Sequence, residues 1–266
     1  MFYGNKLLNF LSSIRELSKF EYKALHRKKF FGVIWKFLNP LFMMTIYSIV
    51  FSYLYSGGNR GFVITIGILI FSGISSTLNS STNWLQPKIL NFSESKRSLS
   101  IYFFSKIYYN FVPIFYLLPV MVVVQQVIFN SGFQFTLIES FTIYLKFILF
   151  IPALIIYCYF LTIPLSIMSK KIPDLKELIP HFLRVVLYMS PILWVAKTNN
   201  IILDTIIQGL NPFYFIFEIT NWIIYRYYDI SQISFILPII LLSFNYLYYF
   251  KKNKFVINIR EVSYLG

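Results

Sequence analysis

The sequence predicts an all-α integral membrane protein with six transmembrane helices, and three observations carry that prediction. Five stretches, 37–59, 61–87, 107–138, 147–169 and 230–250, contain no charged residue and no histidine. A helix crosses the hydrocarbon core with about 20 apolar residues, and each stretch is long enough to do so. Charged residues make up only 13% of the chain against 57% hydrophobic. A charge at the centre of a span costs about 2.5–3.5 kcal/mol on insertion scales, whereas a soluble domain would carry charges on the outer faces of its helices. The third observation is where the charges sit. Of the 24 basic residues, 20 lie in four clusters: before the first stretch, after the second, after the fourth and after the last. Cytoplasmic loops carry the Lys/Arg excess, so these four segments face the cytoplasm. Five spans would leave the lysine-rich C-terminus outside, so a sixth must lie between 170 and 230.

The elements follow in order. Residues 7–22 place Leu7, Phe10, Leu11, Ile14 and Leu17 at helical spacing, with Ser12, Arg15, Glu16 and Lys19 opposite. That pattern predicts an amphipathic helix lying on the membrane surface, within an interfacial region spanning 7–36. Trp35 suits the headgroup level. Asn39-Pro40 is expected to open the first span, 37–57, because proline is tolerated in a first helical turn. Ser56-Gly57-Gly58-Asn59 reads as a tight external turn.

The second span, 62–85, carries a polar run from Ser72 to Asn83. Two readings stand for it. Small and hydroxyl residues let membrane helices pack closely, or the same face lines a polar transport path, with Ser76, Asn79, Ser80 and Asn83 as its candidate residues. The third and fourth spans are 107–129 and 147–169. The fifth is 178–196, with His181 and Arg184 near its cytoplasmic end, where arginine snorkels. Residues 197–229 are too long for a turn and too apolar for a solvated loop. A pair of short re-entrant helices fits there, though such backbone needs protein or a cavity to shield it; Tyr188 of the fifth span and Tyr214 and Glu218 of this segment are further candidate residues of the path. The sixth span is 230–250, which leaves both termini cytoplasmic. No internal repeat and no second domain is visible.

Several function classes are excluded or disfavoured. A net charge of +14 often marks nucleic-acid binding, but here the basic residues sit at span ends, which points to membrane lipids and no nucleic acid. The lone Cys158 allows no disulfide framework and no cysteine metal site. A cleavable signal peptide is not expected, since a charged amphipathic stretch precedes the first apolar run. No glycine spacing makes a phosphate-binding loop ending in Lys-Ser or Lys-Thr, so ATP is not bound in that way. His26 and His181 have no acyltransferase or zinc-hydrolase spacing around them, and acidic residues are scarce in the spans. No catalytic constellation, metal site or cofactor site is expected in this chain. Anything moved uphill would draw its energy from another chain.

Two blocks near the N-terminus then carry a resemblance. They are Ile14-Arg15-Glu16-Leu17-Ser18-Lys19-Phe20-Glu21-Tyr22-Lys23 and Phe31-Gly32-Val33-Ile34-Trp35-Lys36-Phe37-Leu38-Asn39-Pro40-Leu41. Leu183-Arg184-Val185-Val186-Leu187-Tyr188-Met189-Ser190-Pro191-Ile192-Leu193-Trp194 and Leu210-Asn211-Pro212-Phe213-Tyr214-Phe215-Ile216-Phe217-Glu218 extend it. In order and spacing these blocks resemble the permease subunits of polysaccharide-exporting ABC transporters. Their closest branch is the wall teichoic acid exporters of Gram-positive bacteria, and O-antigen and capsule exporter permeases share the same elements.

The resemblance implies that 1–266 is a single permease domain of a multi-pass protein in the bacterial cytoplasmic membrane. It implies a homodimer joined by two separate nucleotide-binding ATPase subunits, which would carry ATP and Mg. The substrate implied is a lipid-linked cell-surface polymer on undecaprenyl diphosphate, most of all teichoic acid. The loop 86–98, with Lys88, Glu94, Ser95, Lys96 and Arg97, would dock on the ATPase; the plain alternative is an ordinary charged loop. Arg27, Lys28 and Lys29 would meet the lipid diphosphate, or else simply anchor the helix. Two readings from other classes stand beside this one. One is an integral membrane enzyme acting on lipid-linked sugars, which would need carboxylates or histidines at catalytic spacing. The other is a non-catalytic scaffold or channel subunit.

Overall fold

A computed structural model describes residues 9–20, 31–54, 59–85, 99–128, 137–190, 192, 201–224, 230 and 232–251. Among them there are helices and turns and no strand. Helix α1 covers 9–20. It is followed by α2 (Trp35–Leu54), α3 (Asn59–Ser81), α4 (Leu99–Ile128) and α5 (Leu137–Lys171). Then come α6 (Leu175–Tyr188), α7 (Ile201–Leu210), α8 (Tyr214–Ile224) and α9 (Ile236–Lys251). Two helices, Val63–Ser81 and Phe141–Lys171, are long and apolar enough to cross a membrane.

Helix α3 is the centre of the packing. It contacts α2, α4, α5, α6 and α8. Every residue from Val63 to Phe71 is buried, including Ile64, Ile66 and Leu69. A helix apolar all round is stable only when other helices surround it or when lipid does, and here its own neighbours do so. Gly73 lets α4 come close: a Cβ built there would stand 2.5 Å from Ile114 Cδ1. The α4–α5 contact is aromatic, with Phe104 stacked on Tyr159 at 4.3 Å between centroids. Phe103 lies edge-on to Trp84 at 5.3 Å, tying the turn after α3 into the same cluster.

Helix ends depart from the charge-free stretches, and α4 and α5 both start early. Helix α5 begins at Leu137, ten positions before the expected span at 147, and α4 begins at Leu99, eight positions before 107. Charge marks where an apolar run stops, while backbone hydrogen bonding continues through Ser105, Lys106 and Lys146. Asn39-Pro40 does not open the first helix. A 3-10 turn at Gly32–Ile34 leads into α2 at Trp35, and Pro40 lies inside the helix. Gly32, at φ 50°, takes the left-handed conformation that the turn requires. Lys36 donates to the Tyr109 carbonyl of α4, which holds this first turn in place ahead of the proline.

The amphipathic N-terminal helix is present over 9–20, with Ile14 and Leu17 buried and Arg15, Glu16 and Lys19 exposed. Leu11 falls on the exposed side instead of the apolar one. Part of the apolar face lies on protein, for Phe10 meets Phe104 of α4 edge-on at 5.8 Å. Helix α6 starts at Leu175 and stops at Tyr188, where the expected fifth span runs over 178–196. Residues 193–200 lie outside the described residues. Between there and α9, two short helices are found, α7 and α8, broken at Asn211–Phe213.

Candidate functional site

The polar run at the end of α3 divides cleanly into two faces. Gly73, Ile74, Thr77, Leu78, Ser81 and Thr82 are buried. The six less-covered positions are Ser72, Ser75, Ser76, Asn79, Ser80 and Asn83, with Ser76 and Asn83 exposed. They recur every three or four residues, which is one side of a helix. Over 72–83 the less-covered side is therefore made only of hydroxyls and amides, without a charge.

A hydrogen-bonded seam joins this run to its neighbours. Asn110 of α4 donates from Nδ2 to Ser80 Oγ at 3.0 Å. Ser166 of α5 donates to the Ser81 carbonyl at 2.8 Å and to its own helix at Thr162 O, 2.6 Å. The hydroxyls of α3 also bond to their own backbone: Thr77 to Gly73 O at 2.7 Å, Ser80 to Thr77 O at 3.1 Å and Ser81 to Leu78 O at 2.7 Å. Such back-bonding leaves hydroxyls satisfied inside an apolar helix. Asn79 donates to Ser75 Oγ at 3.3 Å. Its Oδ1 is buried and accepts no hydrogen bond. Both readings of this run thus find residues here: Thr77 and Ser81 pack, while Ser76, Asn79, Ser80 and Asn83 lie on the open face.

The other candidate path residues belong to a second, separate cluster. Asn211 closes a joint between the end of α6 and the start of α8. Its Nδ2 donates to Ser190 Oγ at 2.9 Å and to Val186 O at 3.3 Å, while its Oδ1 accepts from the Phe213 amide at 3.0 Å. The Tyr157 hydroxyl of α5 donates to the Pro212 carbonyl at 2.8 Å. Tyr214 is fully buried beside this joint, with its amide on Asn211 O. Glu218 is only 3% exposed, and the Ser234 hydroxyl donates to its Oε2. A buried carboxylate needs such donors. Tyr188 is exposed on α6 and makes a side-chain hydrogen bond with Tyr47 of α2. Tyr214 and Glu218 are thus packed into the protein, while Tyr188 is open.

The remaining candidates lie outside the described residues. These are Arg27, Lys28 and Lys29, and Lys88, Glu94, Ser95, Lys96 and Arg97 of the loop. Among the described residues no group of three His, Cys, Asp or Glu side chains is arranged to hold a metal ion.

Sequence reasoning missed Asn110, Ser166, Ser190 and Ser234 as partners. Asn110 had a usable signal, being an amide near the start of the charge-free stretch 107–138. The serines had none, since a serine that bridges two helices looks like one that bonds its own. No protein-family model matches the chain, and no curated protein sequence matches it.

Proposed function

We propose that this chain is the membrane-spanning permease subunit of an ATP-driven exporter. It carries a lipid-linked cell-surface polymer, most of all teichoic acid, out of a bacterial cell. In this reading α2, α3, α4, α5, α6 with its following segment, and α9 are the six spans. Helices α7 and α8 then dip in from the outer side. Two copies pair, and two ATPase subunits dock on the cytoplasmic loops.

The observation that carries the reading is the open side of α3. Over 72–83 the less-covered positions are all Ser or Asn, and such a face is poorly matched to lipid, which offers its amides and hydroxyl lone pairs no partner. It is well matched to a polyhydroxylated chain. Neutral hydroxyls and amides exchange hydrogen bonds with sugar or polyol groups without the tight grip of an ion pair, so a polymer can pass without being held. The basic residues Arg27, Lys28 and Lys29 suit the charged end of such a substrate, because a diphosphate gains charge-assisted hydrogen bonds from them. Uphill movement requires energy from a partner, since this sequence has no phosphate-binding loop.

The test is depletion of the protein in its native cell, followed by identification of lipid-linked polymers retained inside. The reading expects one undecaprenyl-linked polymer to accumulate and an ATPase with Walker motifs to co-purify with the tagged chain. Accumulation of O-antigen or capsule precursor would move the substrate within the same class. No retained polymer and no ATPase partner would overturn the reading.

A further inference from the structure

Proline has no amide hydrogen, so inside a helix it deprives the carbonyl four positions earlier of its backbone donor. In α4 one such proline is Pro113, and the carbonyl is that of Tyr109. Within a membrane protein a carbonyl freed in this way is served by a neighbouring helix, a side chain or an ordered water. Here a neighbouring helix serves it. Lys36 of α2 donates from Nζ to the Tyr109 carbonyl, and its ammonium also lies over the Tyr109 ring. Tyr109 and Pro113 are buried, and Lys36 is half-buried. The needs of α2 do not explain this contact, because a cation in a first turn lies at the unfavourable end of the helix dipole. Membrane orientation accounts for a lysine at this end of the span, but not for its turning inward onto α4. An ammonium has three N–H groups, so serving Tyr109 leaves two for other acceptors. The next residue, Asn110, lies in the same interrupted turn and donates to Ser80 of α3.

We propose that Lys36 supplies the donor that Pro113 lacks, so that the first turn of α2 sets the course of α4 and the place of Asn110 beside Ser80. Helices bend at proline because the backbone ladder is interrupted there, and the angle then depends on whatever serves the freed carbonyl. In this chain that is one side chain, held by the turn at Gly32–Ile34. A shift of that turn is passed to the middle of α4 through Lys36. This conformational device belongs to the chain itself and does not depend on what the chain transports.

The test is a double-mutant cycle on the purified full chain in detergent, with two readouts. The first is thermal unfolding. Lys36→Met keeps most of the side chain and removes the donor, and Tm is expected to fall by at least about 3 °C, as loss of a charge-assisted bond in a chain of this size implies. Pro113→Ala gives the Tyr109 carbonyl a backbone donor, so in that background Lys36→Met should lower Tm by less than half as much. Pro119→Ala restores a donor to a different carbonyl, and there the full loss should remain. The second readout is the distance between nitroxides at Ile101→Cys and Val120→Cys, with Cys158→Ala as background. These positions lie on either side of the turn, about 28 Å apart in a straight helix. Lys36→Met should broaden or shift that distance, and should no longer do so once Pro113→Ala is present. Equal Tm losses in all three backgrounds would overturn the proposal, as would a label distance that Lys36→Met leaves unaltered. Pro113→Ala should fold both alone and together with Lys36→Met, even where Lys36→Met alone does not; failure of either to fold would also overturn it.

Discussion

Asn211 reaches back 21 positions along the chain to Ser190, donating from Nδ2 to Oγ at 2.9 Å. Through that contact the break between α7 and α8 is fastened to the end of α6. Asn211→Ala removes this bond together with those to Val186 O and the Phe213 amide. At about 1 kcal/mol net for each, the loss should come to about 2–3 kcal/mol. Thermal unfolding of the purified protein in detergent checks it. Asn211→Asp keeps the acceptor for Phe213 and loses the donor, so its Tm should also fall. An unchanged Tm in both would show that the joint carries no stability.

Gly73 and Ile114 offer a second, independent test of packing. The Cβ of Gly73→Ala would meet Ile114 Cδ1 at 2.5 Å. Overpacking of this kind costs about 1–3 kcal/mol. Ile114→Val removes that terminal methyl, so the double variant should recover part of the loss, a coupling that a double-mutant cycle measures directly. Additive effects would mean that α3 and α4 do not approach so closely.

Topology is tested by single cysteines in the Cys158→Ala background. Gly57 and Asn199 should label from outside, and Ser95, Lys171 and Lys254 only from inside, because 20 of the 24 basic residues fall in the segments assigned to the cytoplasm. Labelling of Ser95 from outside would break the six-span arrangement.

The proposed ATPase contact rests on the loop 86–98. Reversing the charges of Glu94, Lys96 and Arg97 together should dissociate the ATPase or uncouple hydrolysis from transport. Export at the normal level from a normally assembled complex would remove this loop from the interface.

Arg27, Lys28 and Lys29 separate recognition from anchoring. Anchoring to anionic lipid depends on charge alone, at about 1 kcal/mol per residue near the surface, so Arg27→Lys should be silent. Bidentate phosphate recognition is not conserved by that change, and export should fall at unchanged protein abundance. Normal export from the triple alanine variant, at normal abundance, would take these residues out of the substrate path.

The helices themselves were legible because long charge-free runs leave few alternatives, and two short helices were expected in the apolar segment 197–229, though not where they break. Helix ends were not legible. Lys106 and Glu139 interrupt hydropathy but not the helix, so α4 and α5 extend past them, and Pro40 lies inside α2, which starts five residues earlier at Trp35. The polar run of α3 was recognisable, but its division into a packed side and an open side depends on where α4 and α5 lie. Period alone cannot choose between the sides when Ser and Thr occupy both. Glu218 was expected on the candidate path, yet it is buried with the Ser234 hydroxyl on its Oε2, a contact 16 positions away that no local pattern announces.

The central place of α3 also bears on how the protein is made. Synthesis delivers α2 and α3 before any of α4, α5, α6 or α8, the helices that complete the burial of α3. Until those arrive, the growing chain must hold a helix whose Ser, Thr and Asn side chains still lack the neighbours that cover them. The α2–α3 pair is thus the earliest unit of assembly and its most exposed stage. Ser and Thr hydroxyls that bond their own backbone suit that interval, because they ask for no outside partner before the later neighbours of α3 have been translated.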